Sequence, residues 1–414
     1  MGRLYGRILK KRIEAQYIEI EEQGGFRAGR SCTDNIFTIQ KIIEKRTARN
    51  LSTHLVFIDL EKAYDTVPLK LLFNVLTKTD LSKTYIRALR NIYKNPQSRV
   101  KTGNIFSKPF KVTKGLKQGC CLSPTLFKIY IQEALCNWRL KCSGMGLKIN
   151  DHCLTTLFFA DDQIIAASCE EDADYMLRKL NEEYEKWGMS MNMTKTEYMR
   201  VGEEDEDQDL ELRKIKKCEE YKYLGSIISN KGSSERDIKH KAQQGQRTVQ
   251  ILNSLLWSNR ITLKTKKTIY RAVVEPILTY GAECWQMTEK AKRKIDCVEM
   301  DYLRRACRIS RKEHISNNEI RRRTDRIHKT SERIETRQLI WYGHVQRMDE
   351  NRWPKRALEY SPQNKRKRGR PSTTWISGVM QTMTDRAIQE DLWRDKKTWR
   401  SKCGMRQKLV IFCQ

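Results

Sequence analysis

Along residues 54–60, HLVFIDL, apolar and β-branched side chains run almost unbroken, and a single carboxylate, Asp59, stands near the end. A run of that length predicts a strand. After it, Thr66 can cap a helix with Pro68 near its first turn, and Leu71, Leu72, Val75 and Leu76 fall on one helical face. A second apolar pattern, TTLFFA and IIAA, flanks Asp161-Asp162-Gln163 and predicts a hairpin with the acids at its tip. The period changes from residue 168. Ala173, Met176, Leu177, Leu180, Tyr184 and Trp187 recur at helical spacing, with Ser168 and Glu171 as a capping box and Gly188 as the stop. Strand, helix, hairpin, helix is an α+β layout.

The pattern breaks beyond residue 202. EEDEDQDLE (203–211) holds seven acids in nine residues and predicts an exposed loop. Past that loop the signals are mostly helical. In KRKIDCVEMDYLRRACRI (292–309), Ile295, Val298, Tyr302, Ala306 and Ile309 line one face, while Arg and Lys, including Arg304 and Arg305, fill the other. Basic clusters recur at 321–323 and in KRKRGRP, which brings together Lys365, Arg366, Lys367, Arg368 and Arg370. One basic face is ordinary solvation; its recurrence predicts a helical module that tracks a phosphate backbone.

Composition agrees. The 414 residues carry 81 Lys and Arg against 51 acids, a formal charge of +30, which points to polyanions and above all to nucleic acid. A chain this long, 39% hydrophobic, can build two or three domains. No apolar stretch reaches the roughly 18 residues of a spanning helix, so no membrane partner is expected. MGRLYGRILKKRIEAQ reads as an amphipathic basic helix rather than a secretion signal. The 13 Cys are scattered, and neither they nor His314, His328 and His344 match zinc-finger spacing. Reduced thiols in an intracellular protein of nucleus or cytoplasm are the expectation.

The chemistry lies in the acids. An adjacent Asp pair alone reads as a turn. Asp59, which also ends an apolar strand, changes that reading. Two strands ending in carboxylates can lie side by side and aim three acids at one place. Such a cluster calls for divalent cations, and hard oxygen ligands select Mg²⁺ or Mn²⁺. Two such ions activate an attacking oxygen and stabilise a leaving one in phosphoryl transfer. The acids alone leave polymerase and two-metal nuclease both open.

The surrounding words narrow the choice. GFRAGRSCTDNIF (25–37), FIDLEKAYDTV (57–67), KGLKQGCCLSPTLF (114–127), FADD (159–162), WGMSMNMTKTEYM (187–199) and YKYLGSII (221–228) occur in the order found in reverse transcriptases. They most resemble the enzymes of non-LTR retrotransposons. ILTYGAECW, WYGHVQRM and RKRGRPSTTW resemble the carboxy-terminal half of endonuclease–reverse transcriptase proteins.

The resemblance implies a right-hand polymerase fold. Fingers and palm would occupy 1–205, a primer-grip-like hairpin 206–230, a helical thumb 231–345 and a basic C-terminal region 346–414. It implies that Asp59 and Asp161 ligate two metal ions with the Leu60 carbonyl assisting and Asp162 as a further member. Tyr64 would stack under the incoming sugar and reject a 2′-hydroxyl. Gln118 and Gly119 would contact the nascent base pair, Arg27 the triphosphate, and Lys195 the departing pyrophosphate. Tyr223, Leu224 and Gly225 would grip the primer. RNA template, DNA primer and dNTPs are the implied partners. The fingers before residue 25 would be short and the family's upstream endonuclease absent. For KRKRGRP, backbone binding, nuclear import and minor-groove recognition all stay open. Two rivals remain: a non-catalytic nucleic-acid-binding remnant, and a two-metal nuclease, against which Tyr64 and KQGCCLSP argue.

Overall fold

The protein is described from a computed structural model, covering residues 2–202, 215–326, 328–363 and 373–404. The acidic stretch 203–211 and the cations Lys365, Arg366, Lys367, Arg368 and Arg370 lie outside the described residues. Helix and sheet are mixed, as the α+β pattern predicts. The chain forms two compact units, one from residues 1–35 and 51–219, the other from 36–50 and 220–414.

The first unit is built on a five-stranded sheet in the order Lys216–Lys217, Glu197–Val201, Thr53–Ile58, Asp162–Ala167, Thr156–Phe159. Every residue of the central strand, Thr53–Ile58, is buried, which explains its continuous apolar run. It pairs antiparallel with both neighbours, Ile58 facing Gln163 on one side and Phe57 facing Glu197 on the other. The helix Glu170–Lys186 packs on this sheet through Ala173, Met176, Leu177, Leu180 and Tyr184, the face its spacing predicts. Gly188 follows it at φ 68°. Ser123 and Pro124 open a largely buried helix, Ser123–Ala134.

Two predicted caps do not form. Ser168 turns away from the helix after it and donates its hydroxyl to the Gly146 carbonyl at 2.9 Å, leaving Cys169 at the N-cap. Three acids in the first turn, Glu170, Glu171 and Asp172, complement the helix dipole instead. Thr66 ends a short helix of its own, Ala63–Thr66, and Pro68 precedes Leu69–Lys78. The predicted face of that second helix survives, since Leu72, Val75 and Leu76 are buried.

Among its described residues, the second unit is helical apart from the hairpin Glu220–Tyr223 and Ser226–Ser229. Its core gathers Ile238, Val249 and Leu278 with Ile295, Val298, Tyr302, Ala306 and Ile309, the apolar stripe read from 292–309. Phe37 joins the same unit, its ring edge-on to Trp375 at 4.8 Å and to Trp341 at 5.7 Å.

Candidate active site

The hairpin Thr156–Phe159/Asp162–Ala167 closes through Ala160 and Asp161, with Phe159 opposite Asp162 and Ala160 at φ 62°. Asp59 follows the central strand directly. Extending the register of Ile58 and Gln163 by one residue sets Asp59 opposite Asp162, where side chains share a face of the sheet. Three carboxylates thus meet at one edge. Asp162 is exposed, yet its carboxyl is pushed up to about 6, first by desolvation and then by the charges of Asp161 and Asp59.

Support for this edge comes from beneath and behind. Gln163, whose side chain points to the opposite face from Asp162, is buried. It accepts the Tyr184 hydroxyl at 2.6 Å and donates to the Thr156 hydroxyl at 3.1 Å. That hydroxyl in turn donates to the Ile164 carbonyl at 2.8 Å. This closed polar chain resists a register slip that would turn the acids inward. Gln23 braces the hairpin tip, its Oε1 accepting the Ala160 N–H at 3.1 Å and the Gly25 N–H at 2.7 Å. Asn35 donates to the Phe158 carbonyl at 2.9 Å. Neither Gln23 nor Asn35 is among the residues that the sequence singles out. Gln23 shows there only as a polar residue beside the Gly24-Gly25 pair, and Asn35 only as one letter of GFRAGRSCTDNIF.

The other predicted residues of this unit gather unevenly. Lys195 reaches the acids: its Nζ lies 3.6 Å from Asp59 Oδ2, with the side chain largely in solvent. Tyr64 lies flat on Phe127 at 4.6 Å between ring centroids, and Phe26 meets it edge-on at 6.5 Å. Its hydroxyl is buried without a hydrogen-bond partner. Burial first, and the Asp161 charge second, push that hydroxyl's pKa up. Leu60 is buried, bridged to Met191 through the backbone. Gln118 donates to both oxygens of Asp65, at 3.0 and 3.2 Å, beside an exposed Gly119 at φ 76°. Arg27 is not free. Its guanidinium pairs with Glu19 at 3.2 Å and Glu21 at 3.5 Å and donates to the Ile20 carbonyl at 2.8 Å.

The remaining predicted residues belong to the second unit. Tyr223 is buried at the end of its strand, and Leu224 (φ 47°) and Gly225 (φ 82°) form the two-residue turn. Lys241 donates to the Gly225 carbonyl at 2.8 Å and the Tyr280 hydroxyl to the Leu224 carbonyl at 2.7 Å. Arg305 is tied to Asp301 at 3.1 Å and to Asn253 at 2.5 Å, whereas Arg304 is only partly engaged.

Among the described residues, no group of three or more His, Cys, Asp or Glu side chains is drawn together tightly enough to hold a metal ion unaided. The donor chemistry nonetheless fits a hard divalent cation. Asp59, Asp161 and Asp162 lie near one another with the Lys195 ammonium 3.6 Å from Asp59, and burial first, then the charges of Asp161 and Asp59, disfavour the ionised Asp162 that a bound cation would stabilise.

Residues 1–228 match the family described as reverse transcriptase (RNA-dependent DNA polymerase). The chain belongs to that family. Relatives of this reverse transcriptase include an uncharacterized transposon-derived protein of Caenorhabditis elegans, 25% identical, the alignment covering 61% of this chain and 96% of that one. A 149 kDa protein of the Xenopus laevis transposon TX1 is 30% identical over 34% of this chain and 11% of its own length. The Pol polyprotein of the Drosophila melanogaster retrotransposable element R2DM is 22% identical over 53% and 22%. The chain therefore spans nearly all of the worm protein and a small part of the other two. The resemblance to retrotransposon reverse transcriptases read from the six motifs is borne out. A solved telomerase structure from Candida albicans aligns over 83% of this chain and 57% of its own, at 12% identity and a TM-score of 0.41. No described helix is long and apolar enough to cross a membrane.

Proposed function

We propose that this chain is an RNA-directed DNA polymerase, extending a primer 3′-hydroxyl with dNTPs on an RNA template. The observation that carries the reading is the meeting of Asp59, Asp161 and Asp162 at one edge of the central sheet, with the charges of the first two felt by the third. In this reading the fingers and palm span 1–205, the 206–230 segment grips the primer, 231–345 is the thumb, and 346–414 is a basic extension. The protein would work in the nucleus or cytoplasm.

Asp59, Asp161 and Asp162, with the Leu60 carbonyl, would hold two Mg²⁺ or Mn²⁺ ions, which when bound stabilise charge on the attacking and leaving oxygens. The chain's own groups do the rest. Lys195, beside Asp59, is poised to give a proton to departing pyrophosphate. Tyr64, braced flat against Phe127, presents a ring that cannot yield to a 2′-hydroxyl. Gln118 and Gly119 face the nascent base pair. Arg27 grips the triphosphate only after exchanging Glu19 and Glu21 for it, so its ion pairs hold it in reserve. Tyr223, Leu224 and Gly225 hold the primer, and Arg304, Arg305 and the 365–370 cations contact phosphates.

Primer extension on an RNA template with Mg²⁺ tests this, with Asp161→Ala as control. We expect extension by the wild type and a loss of at least ~10²–10³-fold in the variant, the scale of removing one preorganised charge-stabilising group. Shortening of the primer in place of extension would make the protein a nuclease. Extension by neither form, with salt-sensitive duplex binding retained, would make it a non-catalytic binder.

A further inference from the structure

We propose that Asp65 is a positioning residue for nucleotide selection: it fixes which end of the Gln118 amide is offered to the incoming nucleotide. The proposal rests on the polymerase reading, in which Gln118 and Gly119 face the nascent base pair, and adds to it a residue that reading leaves without a role.

Gln118 Nε2 donates to both carboxylate oxygens of Asp65, at 3.0 and 3.2 Å. A carboxylate accepts and does not donate, so the amide must turn its NH₂ group toward Asp65. The group left over is Oε1, an acceptor with no hydrogen-bond partner among the described residues. What Gln118 reads on the nucleotide is then a hydrogen-bond donor.

Both side chains are exposed. A surface hydrogen bond between two mobile side chains would fix little, because ordering them costs entropy. Here the backbones beneath are already tied together. The Leu116 N–H donates to the Tyr64 carbonyl and the Gly115 N–H to the Val67 carbonyl, each at 2.8 Å. Pro68 and Lys114 pair as an antiparallel bridge one step further along. Gly115 permits that approach: it sits at φ 96°, and a Cβ there would lie 2.9 Å from the Asp65 carbonyl oxygen. Each segment is also held from its other side. The Asp65 N–H donates to the Lys62 carbonyl at 2.8 Å, and the Lys117 carbonyl accepts the Ser123 hydroxyl at 2.6 Å and the Cys120 N–H at 3.1 Å. Between two segments so fixed, the Asp65–Gln118 bond selects the orientation of one amide.

Beside Gln118 there is room for a ligand. A Cβ on Gly119, at φ 76°, would meet nothing within 4 Å. Tyr64, the residue before Asp65, has separate support, its ring stacked on Phe127 at 4.6 Å. Asp65 therefore governs what the amide offers, while the sugar-rejecting ring does not depend on it. Without the carboxylate the amide turns freely, and part of the time it presents a donor to a donor.

The test is the affinity of the full chain for the next dNTP on an RNA template with a chain-terminated DNA primer, where nucleotide and Mg²⁺ bind but no bond forms. Affinity is read as the dNTP concentration that protects the complex from a competitor duplex. Asp65→Ala is expected to weaken dNTP binding roughly tenfold, the scale of losing one hydrogen bond. Asp65→Asn, which can still accept from Nε2, is expected to stay within about threefold. In a Gln118→Ala background, Asp65→Ala is expected to add nothing, because the amide it acts through is gone. Preference for dNTP over rNTP and the melting temperature should not move. Wild-type affinity in Asp65→Ala overturns the proposal, and so does an equal further loss in the Gln118→Ala background. A fall in dNTP preference or in melting temperature alongside overturns it too, since Asp65 would then only maintain the local fold. The polymerase reading fails by a different result: a wild type that holds no dNTP on the terminated duplex removes that reading, and this proposal with it.

Discussion

At Asp162, partial desolvation and two neighbouring carboxylates all oppose ionisation, and its pKa is raised to about 6. In the unfolded chain the same group titrates near 4. The folded state therefore binds more protons than the unfolded between about pH 4 and 6, so this group's contribution falls as pH rises through that window and stays lost above it. Asp162→Asn removes the repulsion. We expect the metal-free variant to melt above the wild type at pH 8, with the gap closing as pH is lowered toward 4, while extension activity falls. Differential scanning fluorimetry over that range checks it; an equal gap at every pH would mean that charge is not the cause. Buried Asp34 is also pushed up to about 6, chiefly by burial, so the wild-type pH profile alone would mix two groups and the variant comparison is needed. Asp59, Asp161 and Asp162 were legible because charge is conspicuous in an apolar run. Arg27's ion pairs were not, because Glu19 and Glu21 are ordinary surface-type residues until the loop folds back on them.

At the scale of elements, the segment around GFRAGR is a brace. A Cβ on Gly25 would sit 2.1 Å from the backbone N of Ala160, and backbone has nowhere to retreat. Gly25→Ala is expected to destabilise the first unit by about 2–3 kcal/mol and to displace the hairpin tip, with extension lost alongside. Gly29→Ala meets open space but keeps a left-handed φ of 72°, and should cost only about 1 kcal/mol. Urea melts of the two variants test the contrast; a Gly25 variant no worse than Gly29 would remove the brace. The second hairpin is held in a comparable way. Tyr280 bonds its turn, and Trp285 donates to Asp237 at 2.8 Å, which in turn accepts the Ile227 N–H at 3.1 Å. The word ILTYGAECW is thus tied to the word YKYLGSII by contact, a link invisible in the chain's order. The predicted caps failed for the converse reason. A serine hydroxyl satisfies whichever acceptor comes nearest, and for Ser168 that was the Gly146 carbonyl, distant in sequence.

For the whole molecule, binding and chemistry rest on different charges. The surplus of +30 attracts a polyanion without metal, whereas the three carboxylates repel one until cations intervene. Removing divalent ions with EDTA is therefore expected to abolish extension while leaving duplex binding within about twofold. Raising salt from 50 to 200 mM should weaken binding by on the order of 10³-fold if six or more phosphates are contacted. Anisotropy and extension in matched buffers decide it; binding lost with EDTA would tie affinity to the metal and refute the division.

The sequence by itself determined the mixed helix-and-sheet class, the central strand, the acidic hairpin tip, the apolar stripe of 292–309 and the family. Each depends on periodicity, or on ordered short words whose spacing survives without any knowledge of contacts. Only the tertiary structure decided that Gln23 and Asn35 carry the hairpin, that Arg27 is held by acids, that two caps are unused and that Arg304 and Arg321 each keep one buried Nη1 without an acceptor. These are choices of partner. A polar group's partner is whichever group the fold brings within about 3 Å, and no local pattern encodes that distance.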